Sequence, residues 1–190
     1  VAKDRKLLPT WQLQDAFTDA GWVYLDNAAA RLSPSEREVV IGFLTDMADE
    51  LSLNVQLIGR GVRNMIMTND KLVEKQQTEA IAKARSRNAE IFEKMTPLVL
   101  TEKGKALLAK ASDARTKYNA LSDRLLSLAD SSSPQYNPEK ATQLLFGEYT
   151  EVAGVYVNAL NEFAAFQIDG ARKARTKAVE LASSSRTLVI

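Results

Sequence analysis

The chain has 190 residues, of which 45% are hydrophobic and 26% are charged, a composition typical of one globular domain. Its 25 basic and 24 acidic residues nearly cancel. Proteins that bind nucleic acids usually gather a basic excess into a patch, and this sequence has no such patch. We therefore expect no nucleic-acid partner.

The residue types that the sequence lacks exclude several kinds of chemistry. It contains neither histidine nor cysteine. Histidine is the commonest general base and transition-metal ligand, and cysteine is needed for thiolate chemistry. A serine–histidine triad and a histidine-containing metal site are therefore excluded. We expect a protein that is not an enzyme and that binds neither a metal ion nor a cofactor.

From Pro34 onward, the apolar residues predict helices. They recur at alternating spacings of three and four, a pattern typical of helices that pack through heptad seams. Thr101 is a candidate N-cap, and Asn137 followed by Pro138 and Glu139 is another. No strand-like alternation of any length is present. The predicted helices lie at about 34–68, 71–95, 102–129 and 138–184.

The short connections between the predicted helices make neighbouring helices antiparallel. The sequence therefore predicts an all-α, up-down-up-down four-helix bundle in residues 33–190, with long first and fourth helices that project together from one end. The seam of the fourth helix shifts by one residue near Gly170, where we expect a compliant point. Residues 1–32, with both tryptophans, are predicted to form a short additional N-terminal segment without an assigned role.

Three stretches resemble the four-helix-bundle sensor domains of bacterial methyl-accepting chemotaxis proteins. They are RGVRNMIMTND at 60–70, TEKGKALL at 101–108 and YVNALNEF at 156–163. The order and spacing of these stretches and the lengths of the helices also agree with the family. The resemblance covers about residues 46–190. Residues 1–32 depart from the family pattern, in which the first bundle helix leaves the membrane almost directly.

This resemblance implies the periplasmic ligand-binding domain of an inner-membrane chemoreceptor. In the family, two membrane helices flank the domain and a cytoplasmic signalling region follows, and none of these is contained in the 190 residues. The resemblance also implies a homodimer, or another homo-oligomer, and a signal that travels along the fourth helix. The alternative is a structural or interaction bundle without a small-molecule site.

A layer of polar residues is the first candidate for a ligand site. Counting residues from the turns near Asn69 and Pro134, which mark the distal end of the bundle, places five residues within about 6 Å of one another along the axis. Three of them replace aliphatic residues on the seam. A polar ligand accounts for this layer, and so do packed tyrosine rings and an asparagine that sets the helix register. The five residues are Arg85, Asn88, Arg115, Tyr118 and Tyr149.

A second candidate region lies on the first helix, nearer the distal turn. The resemblance implies that the first helices meet across the dimer, where Arg60 and Arg63 would grip a carboxylate from both subunits. Solvated surface charge is the alternative. Thr150 is a candidate hydroxyl donor from the fourth helix, and the guanidinium of Arg115 suits a carboxylate. The predicted ligand is a small carboxylate, such as a dicarboxylate, an aromatic acid or an amino acid.

Overall fold

The computed structural model describes residues 34–68 and 70–187. The predicted N-terminal segment and its tryptophans lie outside the described residues. Within those two ranges the chain forms helices and turns, without a strand. The prediction of an all-α four-helix bundle is confirmed.

The bundle is built from four long helical rods, the last of which is interrupted. The rods are connected by short segments, including a 3-10 turn at Thr96–Leu98. The sequence predicts one continuous fourth helix, whereas the structure interrupts it by a kink within Leu145–Tyr149, a segment that we call the π turn. The helices are α1 at Pro34–Met67, α2 at Lys71–Met95, α3 at Glu102–Ala129, α4 at Pro138–Leu144, the π turn at Leu145–Tyr149, and α5 at Thr150–Thr187.

Polar side chains cap the beginnings of three helices. The Thr101 hydroxyl accepts a hydrogen bond from Gly104 N at 3.0 Å, and Asn137 Oδ1 accepts one from Lys140 N at 2.9 Å. Asp70 caps α2 in the same way. Each cap pairs a backbone N–H that has no partner within its helix. The caps predicted at Thr101 and Asn137 are confirmed.

The heptad seams form the core over the middle of the bundle. Every predicted seam residue of α1 from Leu44 to Met65 is buried, as are those of α2. At the opposite, proximal end the buried positions move by one residue. In α1 and the fourth helix this move lengthens the spacing to four, as expected for a helix with 3.6 residues per turn. The shift predicted near Gly170 begins before that residue, and α5 stays α-helical through it. At that end Val40, Leu108 and Gln167 are buried, whereas Ile41, Leu107 and Phe166, which continue the heptad spacing, are only partly buried.

The four sides of the bundle are not equally close. α1 packs along α2 and α5, and α3 packs along α5, but α2 and α3 hardly approach within 8 Å between Cα atoms. Long side chains span the wide side instead. Arg85 of α2 forms an ion pair with Asp123 of α3 at 2.6 Å. The guanidinium of Arg115 lies 4.6 Å from the centre of the Phe92 ring.

A buried carboxylate attaches the loop after α3 to the beginning of α2. Glu74 accepts hydrogen bonds from Ser131 N at 2.5 Å and from Ser131 Oγ at 2.6 Å, and Lys71 Nζ lies 3.4 Å away. Burial acts to raise the pKa of Glu74, but these bonds outweigh that effect and lower the pKa below its ordinary value of 4.5. The ionised carboxylate therefore stabilises the distal end.

Replacing this carboxylate by Glu74→Gln should lower the melting temperature at neutral pH by about 2–4 °C, because about 1 kcal/mol of net hydrogen bonding is lost. A group with a lowered folded pKa stabilises the protein above its unfolded pKa and loses that effect as pH falls through the folded value. Circular dichroism melts should therefore show a larger loss below pH 4.5 in the parent than in the variant.

The matched control is Glu79→Gln, since Glu79 is exposed and its nearest cation, Lys75, lies 3.9 Å away. This control should melt like the parent at neutral pH. An identical pH dependence in the parent and Glu74→Gln would contradict the role assigned to the carboxylate.

Candidate ligand-binding site

Three tyrosines form a buried layer across the bundle. Tyr118 of α3, Tyr149 of the π turn and Tyr156 of α5 are at most 3% exposed. The hydroxyls of Tyr118 and Tyr149 are 2.8 Å apart, and their ring centres are 5.5 Å apart. The Tyr156 ring lies 5.5 Å from that of Tyr118. The structure thus brings together two of the predicted site residues and adds a third tyrosine from the predicted seam.

Burial determines the protonation state of this layer. It raises the pKa of Tyr118, Tyr149 and Tyr156 above 10.0, the ordinary tyrosine value, because a phenolate would have to lose its hydration. All three are therefore neutral hydroxyl groups at physiological pH. Ser122 Oγ and Tyr156 Oη are buried beside them and make no hydrogen bond within the described part of the chain.

The π turn brings Tyr149 into the core. Gly147, inside this turn, has φ −104° and ψ −113°, which lies outside the helical region. Two helical segments therefore meet in a kink at Gly147, and the phase of the fourth helix changes there. A Cβ atom added at Gly59 of α1 would lie 3.6 Å from the Tyr149 ring. Tyr149 therefore connects the interrupted helix both to α3 and to α1.

Thr150 follows the π turn and is exposed. Its hydroxyl donates to Leu145 O at 2.6 Å, within the fourth helix. The bond pairs a carbonyl group of the π turn. It also commits the hydroxyl hydrogen that we expected Thr150 to offer to a ligand, so that only the oxygen lone pairs face outward.

Arg60 and Arg63 lie on the exposed side of α1, close to the π turn. Neither has an ion-pair partner among the described side chains. The Arg63 guanidinium lies 5.8 Å from the centre of the Phe146 ring, and Phe146 is 64% exposed. Residues three apart on a helix are neighbours on its surface. The two arginines therefore form one cationic surface next to an exposed ring of the interrupted helix.

Each of the other predicted layer residues has a partner of its own. Asn88 Oδ1 accepts from Asn54 Nδ2 at 2.8 Å, between α2 and α1. Arg85 and Arg115 lie on the wide side between α2 and α3, paired with Asp123 and stacked on Phe92 as described above. Counting residues gives a height along the axis, whereas the direction of each side chain depends on its partners. Arg115 nevertheless reaches the tyrosine layer, because the Phe92 ring on which it stacks lies 6.4 Å from the Tyr156 ring.

Arg87 of α2 differs from Arg60 and Arg63, because a carboxylate binds it. Its Nε and Nη2 atoms donate to the two carboxylate oxygens of Glu50 at 2.7 Å and 3.0 Å. The Arg87 hydrogen bond is the main reason why the pKa of Glu50 is lowered. This bidentate pair connects α2 to α1. It leaves Arg87 without the free guanidinium that Arg60 and Arg63 retain.

The bundle and its sequence match a known family model. The model is described as a four helix bundle sensory module for signal transduction, and it matches residues 44–182. The chain belongs to this family of sensory modules of methyl-accepting chemotaxis proteins. No curated protein sequence matches the chain.

The matched range of this sensory module contains all eight predicted site residues. In chemoreceptors the module is an extracellular sensor domain. None of the helices that the structure describes has an apolar stretch sufficient to cross a bilayer. The predicted family is therefore confirmed. The polar side chains described above belong to a sensory module.

A double-mutant cycle tests the hydroxyl pair in the core of the module. Tyr118→Phe and Tyr149→Phe should each cost about 1–3 kcal/mol, because each leaves the other hydroxyl buried and unpaired. The double variant should cost clearly less than the sum of the two. Urea unfolding measures all three. Tyr156→Phe is the control and should be nearly neutral, because its hydroxyl has no partner among the described residues. Strict additivity would contradict the pair.

Proposed function

We propose that this sensory module is the periplasmic ligand-binding domain of an inner-membrane chemoreceptor and that it binds a small organic acid. The acid would contact Arg60 and Arg63 beside the π turn. Its binding would be signalled along the fourth helix to a cytoplasmic region. In this proposal the module senses its ligand and does not transform it.

The free arginine pair carries the proposal. A guanidinium with exposed N–H groups binds a carboxylate in a planar, bidentate manner. Arg87 already uses that capacity on both carboxylate oxygens of Glu50. Arg60 and Arg63 have no carboxylate partner among the described residues, so an incoming acid meets no competing internal ion pair there.

The exposed apolar residues of α1 support a homodimer at the same face. Leu53 is 63% exposed and Met67 is 78% exposed. Both are seven residues from Arg60, so the three share one face of α1 at heptad spacing. A partner copy that covers Leu53 and Met67 would bring its own Arg60 close. Two subunits would then contribute guanidinium groups to one carboxylate site.

The π turn gives a bound ligand access to the signalling helix. Phe146 lies in the turn and beside Arg63, while Tyr149 packs beneath α1 at Gly59. A ligand that binds better to one arrangement of the π turn than to another shifts the equilibrium toward it. α5 then continues as one helix to Thr187, far beyond the proximal ends of α2 and α3.

Thermal denaturation with added carboxylates tests the proposal. Succinate represents the dicarboxylates, benzoate the aromatic acids and aspartate the amino acids. A specific ligand at 100 times its dissociation constant adds ~2.7 kcal/mol to stability, which raises the melting temperature by several degrees. Arg60→Gln and Arg63→Gln should each weaken the response by about tenfold or more in affinity. Arg124→Gln, an exposed arginine on α3, is the matched control and should respond like the parent.

Sedimentation velocity on the same samples measures the dimer, which the bound acid should favour. A panel of carboxylates that leaves the melting temperature unchanged would contradict the proposed ligand. Self-association without any carboxylate response would instead support the alternative, an interaction bundle without a small-molecule site.

A further inference from the structure

The wide side between α2 and α3 holds a groove that the proposed acid site does not use. Its volume is about 330 Å³, within the range of small-molecule sites. Met65 and Ile81 are buried beneath it and give it an apolar floor. α2, α3 and the loop after α3 all contribute to its walls. The other residues that line it are Thr78, Ala82, Arg85, Leu126, Ser127, Asp130 and Ser133.

The proximal end of the groove is cationic. Arg85 is 30% exposed and contacts Asp123 Oδ1 through Nη2 at 2.6 Å. Its remaining N–H groups make no hydrogen bond or ion pair with the described residues. Asp123 therefore holds the guanidinium in place and leaves its other N–H groups able to bind a ligand.

The distal end of the groove is anionic. Asp130 Oδ1 accepts hydrogen bonds from Ser132 N at 2.8 Å and from Ser132 Oγ at 2.6 Å. These two bonds, together with the nearby charge of Lys71, lower the pKa of Asp130, so that the carboxyl is ionised at neutral pH. The second oxygen, Oδ2, makes no hydrogen bond within the described part of the chain and is available as an acceptor.

The two charged ends are too far apart to pair with each other. Asp123 and Asp130 are separated by seven residues of α3, which corresponds to about 10 Å along the helix. Arg85 lies at the level of Asp123 because it is bound there. In the loop after α3, Ser133 Oγ accepts a hydrogen bond from Gln135 N and keeps its own hydrogen available.

We propose that this groove binds a linear zwitterion, with its ammonium group on Asp130 and its carboxylate on Arg85. The apolar floor would contact the methylene chain between the charges. An α-amino acid carries both charges on one carbon and is too short to reach both ends. An ω-amino carboxylate or a small dipeptide has the required length and shares this chemistry. The site is independent of the proposed acid site on α1.

Isothermal titration of the 190-residue chain with 5-aminopentanoate and 6-aminohexanoate tests the groove. Pentylamine and pentanoate each retain one charge and should bind at least tenfold more weakly. Asp130→Asn keeps the acceptor for Ser132 and removes the charge, and it should weaken binding at least tenfold. Arg85→Gln should do the same. Asp113→Asn, an exposed position on α3, is the matched control and should bind like the parent.

Three outcomes would overturn the groove site: no binding of either zwitterion, equal binding of pentanoate, or binding that survives Asp130→Asn. Unchanged binding in Arg63→Gln is expected and separates this result from a failure of the acid site on α1. Amide resonances of Ser127 and Ser133 should shift on titration, and shifts confined to α1 would also overturn the assignment. If Arg85→Gln fails to fold, the Asp130→Asn variant decides the outcome.

Discussion

The hydrogen bond between the hydroxyls of Tyr118 and Tyr149 fixes the irregular part of the bundle. Both groups are buried, and each would pay the full cost of desolvation without the other. The bond requires Tyr149 to enter the core from the π turn, which sets the phase of the fourth helix. It thereby sets the position of Phe146 relative to α1 and leaves the carbonyl of Leu145 to be paired by Thr150. The π turn and the Tyr118–Tyr149 pair therefore form one structural unit.

The polar side chains of the module lie on two sides of the bundle, one formed by α1 and the fourth helix and the other by α2 and α3. On the side of α1 and the fourth helix, Arg60 and Arg63 have no carboxylate partner among the residues that the structure describes. On the side of α2 and α3, Arg85 is bound by Asp123 across the wide separation of the two helices. An anionic ligand is suited to the first side. The second side carries separated charges of both signs, which suit a ligand that is itself dipolar.

Much of the fold could be predicted because burial follows the heptad period. The seam of α1 and the caps at Thr101 and Asn137 depend on local sequence alone, and the structure confirms them. The π turn could not be predicted from that pattern, because the seam spacing continues regularly from Leu145 through Tyr149. Gly147 was the only local signal. The site residues were more difficult to predict. Counting residues along a helix gives the height of a side chain along the bundle axis, but its direction depends on contacts with other helices.

The most direct test of the account is amide hydrogen exchange across 145–150 with and without the carboxylate that stabilises the domain most. If the acid binds beside Arg63 and acts on the fourth helix, exchange in the π turn should slow markedly. The middle of α2, remote from the acid site, should exchange at the same rate in both samples. Unchanged exchange in the π turn at a saturating carboxylate concentration would contradict the coupling of this site to the signalling helix.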